Sequence, residues 1–235
     1  MKYRFSCKIF LSLSFLFAFL ILLIVMNIFL FPVNAITLEK DQSQPLTSVE
    51  IRDYQGEDLS SIIDFRENSI RGPQEVNIDE YELEVVGLVE EPKTFKYNDI
   101  LENFESYKKI VTLQCVEGWG VKILWEGILI RELIGIENVK SEAKTVIFHA
   151  YDGYTTSFPV EYVLDNDILL AYKMNEVTLP AIRGFPFQLV AESKWGYKWI
   201  KWVTRIELSD DEDYQGFWES RGYSNEGDLD GSFFD

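Results

Sequence analysis

The chemistry available to this chain turns on one thiol. The sequence holds two cysteines, Cys7 and Cys115, and a single histidine, His149. Cys7 precedes a long apolar run, so within the chain no disulfide partner reaches Cys115. Cys115 lies in the stretch VTLQCVEGWGVKILWEG, residues 111–127, against a Gly-Trp-Gly turn. An isolated cysteine is most often a small apolar filler. A lone thiol in an oxidising compartment is a liability unless it is shielded or used. Used, its thiolate is a good ligand for a soft metal centre. Cysteine–histidine nucleophilic chemistry has only His149 as its base, and a residue of that kind is more often a satisfied core histidine. A zinc site lacks its further histidines and cysteines. No glycine-rich phosphate loop of the usual spacing is present. The carboxylates are too numerous and scattered to nominate an acid–base pair, and most must be solvated surface.

The elements that position Cys115 are mainly strands. Tyr81–Val89, Lys109–Val116, Lys144–Tyr151, Ile168–Met174, Phe185–Ala191 and Trp199–Leu208 read as strands, punctuated by Glu91-Pro92, Asp152-Gly153, Asn166-Asp167 and Arg183-Gly184. Short helices are expected at Asn98–Phe104, Ile128–Ile134 and Val160–Leu164. Strands with a few inserted helices indicate an α+β fold, mixed and β-rich, rather than a βαβ repeat. Alternation puts Val111, Leu113 and Cys115 on one strand face, so the thiol stands at the end of an apolar face, where a sheet meets a cleft. Alternation also puts His149 with Ile147 and Tyr151, and Lys201 with Val203 and Arg205 opposite Ile200 and Trp202.

Composition and charge bound the partners. The chain has 235 residues, 47% hydrophobic and 26% charged, with net charge −17. Lys2, Arg4 and Lys8 are the only charges before residue 36, so the rest carries 19 basic and 39 acidic residues, or −20. So acidic a body repels phosphate backbones, which argues against nucleic acid as a partner. The basic start precedes an apolar run, Ile9–Phe31, long enough to span a bilayer, with Val33-Asn34-Ala35 after it. Residues 1–35 read as a signal peptide or a signal anchor. The positive-inside tendency then places the body on the extracytoplasmic side, at the cell membrane or secreted. Residues 36–75 read as a polar linker, 76–225 as the ordered domain and 226–235 as an acidic tail. Tyr214, Phe217, Trp218 and Tyr223 argue that the chain just before that tail wraps back over the domain.

Cys115-Val116-Glu117-Gly118-Trp119, then Trp125-Glu126-Gly127, resembles the molybdopterin-binding oxidoreductase domain of the sulfite oxidase superfamily. The likeness continues through Tyr151-Asp152-Gly153-Tyr154 and Asp167-Ile168-Leu169-Leu170-Ala171-Tyr172. It is strongest in Leu179-Pro180, Arg183-Gly184-Phe185-Pro186-Phe187-Gln188-Leu189-Val190 and Gly196-Tyr197-Lys198-Trp199-Ile200-Lys201-Trp202-Val203. Gly216-Phe217-Trp218-Glu219 extends it toward the tail, so about residues 76–225 are covered.

The resemblance implies a domain that holds one molybdopterin and one molybdenum, with Cys115 supplying a thiolate to the metal. That centre cycles by two electrons while an oxygen atom is added to or removed from a small-molecule substrate, and the electrons pass to or from a membrane or extracytoplasmic carrier. By the same resemblance Tyr151 joins Cys115 in catalysis, and Arg183, Gln188, Lys198, Lys201, His149 and Trp119 surround the cofactor. The chain is also similar to the catalytic subunit of periplasmic methionine sulfoxide reductase, whose members carry asparagine where Arg183 stands and arginine where Gln188 stands. The arginine-rich sequence of true sulfite oxidases is absent beside Cys115, where Glu117 and Gly118 stand, so oxygen transfer on a neutral or unknown substrate is expected over sulfite oxidation. An N-terminus without twin arginines leaves a rival reading: a membrane-tethered, cofactor-free binding module on the same scaffold.

Overall fold

A computed structural model describes residues 50–234. The basic start and the apolar run at 9–31 lie outside the described residues. Among those described, no helix is long and apolar enough to cross a membrane. The elements are a small hairpin, β1 (Asp53–Tyr54) and β2 (Glu57–Asp58), then β3 (Leu83–Gly87), β4 (Lys93–Phe95), α1 (Tyr97–Asn103), β5 (Tyr107–Gln114), β6 (Gly120–Leu129), α2 (Ile130–Ile134), β7 (Thr145–Ala150), β8 (Thr155–Pro159), α3 (Val160–Asp165), β9 (Leu169–Met174), β10 (Val177–Thr178), β11 (Gln188–Val190) and β12 (Val203–Ser209). One five-stranded sheet runs β10-β9-β6-β5, with β11 also on β9; the other runs β4-β3-β12-β7-β8. Only β3 and β12 pair in parallel; the remaining pairs are antiparallel. The fold is the expected β-rich domain with short helices.

Both sheets contribute to one apolar cluster, with Leu83 and Val85 of β3, Ile123 and Trp125 of β6, Phe148 of β7, Leu170 of β9 and Ile206 of β12 all fully buried or nearly so. β6 escapes sequence reading because its residues from Ile123 to Leu129 are buried on both faces, which erases the two-residue period. For the same reason the helix expected from Ile128 begins only at Ile130.

Three expectations are corrected. The strand expected from Trp199 begins at Val203, because Trp202 takes a left-handed φ of 54° and Gly196–Lys198 is a 3-10 turn. The alternation expected for Lys201 is therefore lost. The segment read as a polar linker is packed from Glu50 onward. Leu59 and Ile62 are buried, and the Glu50 carboxylate accepts hydrogen bonds from Ser61 Oγ at 2.5 Å and Ile62 N at 2.9 Å. Scattered apolar anchors, the satisfied Glu50 carboxylate and bonds to distant residues such as Lys122, Asn175 and Arg183 hold it, a pattern that a polar stretch does not display. The acidic tail is also bound. Asp228 pairs with Lys194 Nζ at 2.5 Å, Leu229 N donates to Ser193 O at 2.9 Å, and Phe234 packs on Tyr223 at 4.9 Å between ring centroids.

Candidate active site

Strands β5 and β6 form a hairpin whose register runs from Tyr107↔Gly127 to Gln114↔Gly120. Its five-residue loop, 115–119, is closed by Cys115 N donating to Trp119 O at 2.8 Å and Gly118 N donating to Cys115 O at 3.0 Å. Gly118 has φ of +86°, a conformation side chains disfavour, so the turn needs its glycine. Val111, Leu113 and Cys115 share the buried face, and the thiol opens at its end into a cavity of about 400 Å³. Across from it the Gly196 turn presses on the hairpin. A Cβ there would lie 3.0 Å from Gln114 O, so a side chain would push the wall away from Cys115.

Burial pushes the Cys115 thiol up, with Glu117's charge adding to it. The Glu117 backbone N–H, the Asn68 amide and Arg66 oppose that rise. Asn68 Nδ2 stands 3.8 Å from the sulfur. Glu117 accepts from Trp119 Nε1 at 3.0 Å and pairs with Arg66 at 3.5 Å, which holds its carboxyl below the usual range. Phe65 packs on Trp119 at 5.8 Å.

Deeper in the wall stand Arg183, Gln188 and Lys201. Arg183 is buried and spends its guanidinium on three carbonyls: Ile62 O at 2.8 Å, Phe65 O at 2.7 Å and Arg66 O at 3.3 Å. It also lies 3.7 Å from the Phe65 ring centroid. Lys201 Nζ lies 2.6 Å from Glu67 Oε1, and burial pulls its pKa down against that carboxylate's pull upward. Gln188 bridges to Lys201 across the irregular end of β11. Every cation of this cavity is thus already engaged.

The expected residues do not all meet here. Cys115, Trp119, Arg183, Gln188 and Lys201 line one cavity. Lys198 does not line it. It is fully buried, donating to Glu219 Oε1 and Asn225 O, both at 2.8 Å. It sits at the end of the Gly196–Lys198 3-10 turn, where the Glu219 carboxylate and the Asn225 carbonyl take its ammonium. His149 and Tyr151 line a separate concavity of about 540 Å³ with Glu80, Glu82 and Arg205. His149 lies in β7 opposite Arg205 of β12, and Tyr151 follows the strand's end, so neither lines the thiol's cavity. Conversely, Phe65, Glu67, Asn68 and Ser69 come from the supposed linker, and Trp218 and Tyr223 from the last part of the expected domain, just before the tail. The polar stretch Arg66-Glu67-Asn68-Ser69 has no period that marks it as a wall.

The model of the oxidoreductase molybdopterin binding domain family matches residues 70–218, more than half of the chain. The chain belongs to this family. An uncharacterised oxidoreductase of Bacillus subtilis is 33% identical over 157 residues, which are 66% of this chain and 78% of that one. The catalytic subunit of a protein-methionine-sulfoxide reductase from Campylobacter jejuni is 29% identical over 171 residues, 66% of this chain and 57% of the relative. The sulfane dehydrogenase of Paracoccus pantotrophus shares the fold, with a TM-score of 0.57 and 24% identity over 64% of this chain and 42% of that one.

A molybdopterin oxidoreductase domain needs room, a soft ligand and polar groups for the pterin, and this cavity fits that group. Its volume lies within the ordinary range for cofactor sites, roughly 300–1,000 Å³. Its thiol is a soft donor. The Ser69 hydroxyl in its wall is buried with no hydrogen-bond partner among the described residues, a vacancy for a polar ligand atom. The cofactor is molybdopterin with molybdenum, and the chain is an enzyme of the oxidoreductase class.

Proposed function

We propose that this chain is an extracytoplasmic molybdenum-dependent oxidoreductase that transfers an oxygen atom to or from a neutral substrate, with Cys115 as thiolate ligand of the metal. One observation carries the reading: the Cys115 thiol opens into a cavity whose cations are all engaged. When bound, the cofactor supplies a two-electron centre for oxygen-atom exchange. Cys115 gives up its proton on ligation, since only the thiolate binds metal. The Glu117 N–H and the Asn68 amide then face the sulfur's charge. Phe65 packs on Trp119, and both line the cavity with Cys115, giving it apolar surface. Lys201 is the cation for the cofactor's phosphate, with Gln188 and Arg183 beside it.

Substrate selection follows from charge. Arg66 stands against Glu117, Lys201 against Glu67 and Arg183 against three carbonyls, so an anion such as sulfite must displace a carboxylate to gain a cation, and Lys201 is taken by the cofactor's phosphate. A neutral S-oxide loses nothing there, and protein-bound methionine sulfoxide, named for the Campylobacter relative, is the substrate class we favour. Its reduction takes two electrons and two protons and releases the thioether and water. The electrons come from a membrane or extracytoplasmic carrier. The basic start and the apolar run at 9–31 support an extracytoplasmic body, held by that run or released after Ala35.

The test is chain purified from its native host and analysed for metal and pterin, then assayed with a reduced viologen donor. Stoichiometric molybdenum and turnover of methionine sulfoxide, with no sulfite oxidation, are expected. Cys115→Ser should keep the fold and lose more than about 100-fold in turnover, since even groups supporting a ligand cost 10–100-fold. Sulfite oxidation, or wild-type turnover in Cys115→Ser, overturns the reading.

A further inference from the structure

The wall formed by residues 65–70 is built unlike the rest of the cavity. No backbone–backbone hydrogen bond reaches residues 65–76 among the described residues. Its near end is pinned: Ile62 is fully buried and Arg183 holds the carbonyls of Ile62, Phe65 and Arg66. Past that pin only side chains fasten it to the body. Arg66 reaches Glu117 at 3.5 Å, but Arg66's side chain is 74% exposed, and such pairs hold weakly. Asn68 meets Cys115 only at 3.8 Å. The strong contact is Glu67 with Lys201 at 2.6 Å, both side chains less than one fifth exposed. At the far end Gly72, φ +77°, has open space around it.

We propose that residues 67–70, past the Arg183 pin, are a clasp that opens to load the cofactor and closes over Cys115, with the Glu67–Lys201 ion pair as its releasable latch. The inference rests on the cofactor reading of this cavity. Segments that open locally are those with few backbone bonds and few buried contacts, and this wall has both properties while covering the thiol. Of the deep cations, Arg183 is committed to main-chain carbonyls. Lys201 instead holds a side-chain carboxylate, which can swing away without unfolding anything. An anionic group entering the cavity competes with Glu67 for Lys201, so the ligand that must pass the clasp also releases its latch. The near end stays fixed, which returns the same wall to the same place.

The test uses the full cofactor-free chain carrying Cys7→Ser, so that Cys115 is the sole thiol. Alkylation by iodoacetamide is followed across pH. Each variant's own pH–rate profile gives its thiolate fraction, so rates compared per thiolate report access. Glu67→Gln should speed alkylation by about 10-fold with unchanged circular dichroism and unfolding midpoint. In the unsubstituted clasp, the rate should rise only shallowly with urea, the mark of local rather than global opening. A rate unmoved by Glu67→Gln, or a urea slope equal to that of global unfolding, overturns the clasp. A second arm adds molybdenum cofactor released from a donor enzyme and measures bound metal and alkylation together. Faster alkylation in Glu67→Gln without any bound metal leaves the clasp standing and sinks the cofactor reading. Bound metal that arrives no faster in Glu67→Gln counts against the latch.

Discussion

Two segments from opposite ends of the described chain close over the same cavity, and they are fastened by opposite means. The C-terminal wrap supplies Trp218 and Tyr223, and it is tied down along its length. Lys198 Nζ holds Glu219 and Asn225 O; Trp195 N reaches Gly227 O; Tyr197 Oη reaches Ser224 O. The N-terminal wall supplies Phe65 to Ile70 and has one pin and one latch. Lys198 and Lys201 stand three residues apart, each paired with one carboxylate, yet the first pair is fully buried and the second reaches the cavity. A buried pair walled in by backbone is fixed. A pair at a cavity wall, facing a segment without backbone bonds, can exchange partners.

The largest effect tests that contrast directly. Lys198→Met leaves Glu219 buried with its cation gone, and breaking a buried pair from one side costs about 3–5 kcal/mol. Urea unfolding should show this loss. Lys198→Met with Glu219→Leu should recover much of it, because the stranded charge is then removed. A loss below about 1 kcal/mol in the single variant removes the distinction between the two segments.

Arg183→Ala should cost less, about 2 kcal/mol. It strips charge-assisted bonds from three carbonyls, of which the Ile62 bond is buried but those to Phe65 and Arg66 are only part-buried, so water can replace part of what is lost. Its sharper signature is local: Cys115 should alkylate faster than in the parent chain by a larger factor than the fall in global stability gives. Lys201→Ala comes next, at about 1 kcal/mol or less, since the freed Glu67 can move with its segment into water. If Lys201→Ala proves as damaging as Lys198→Met, the wall is as fixed as the wrap.

The sequence reading succeeded where local pattern and burial agree. β5 alternates, so Cys115's face was legible, and so were β7 and β9 within a residue or two of their ends. β6 was not legible because a strand buried on both faces has no alternation. Lys201 was placed in the right cavity for the wrong reason, since the left-handed Trp202 that breaks the expected strand alternation is a tertiary fact. The wall at 65–70 was invisible for a related reason: it is held by Arg183 and Lys201, more than a hundred residues away, and nothing in Phe65-Arg66-Glu67-Asn68 announces them.

The smallest effect is expected at the concavity that neither segment reaches. His149 Nε2 lies 2.9 Å from Glu207, and Arg205 lies 3.1 Å from His149 Nδ1. Burial and then Arg205 lower its pKa below the usual 6.5, against the opposing pull of Glu207. The sign follows from linkage: a histidine lowered in the folded state binds fewer protons there than when unfolded. Stability is therefore lost as pH falls from about 6.5 toward the lowered value, and is level above and below that window. His149→Gln should flatten this part of the pH–stability curve and leave other acid losses in place. Because the concavity is separate from Cys115's cavity, the same variant should keep turnover and Cys115 alkylation within about two-fold of the parent. A fall in turnover well beyond that, with the cofactor still bound, would return His149 to the active site and join the two concavities into one.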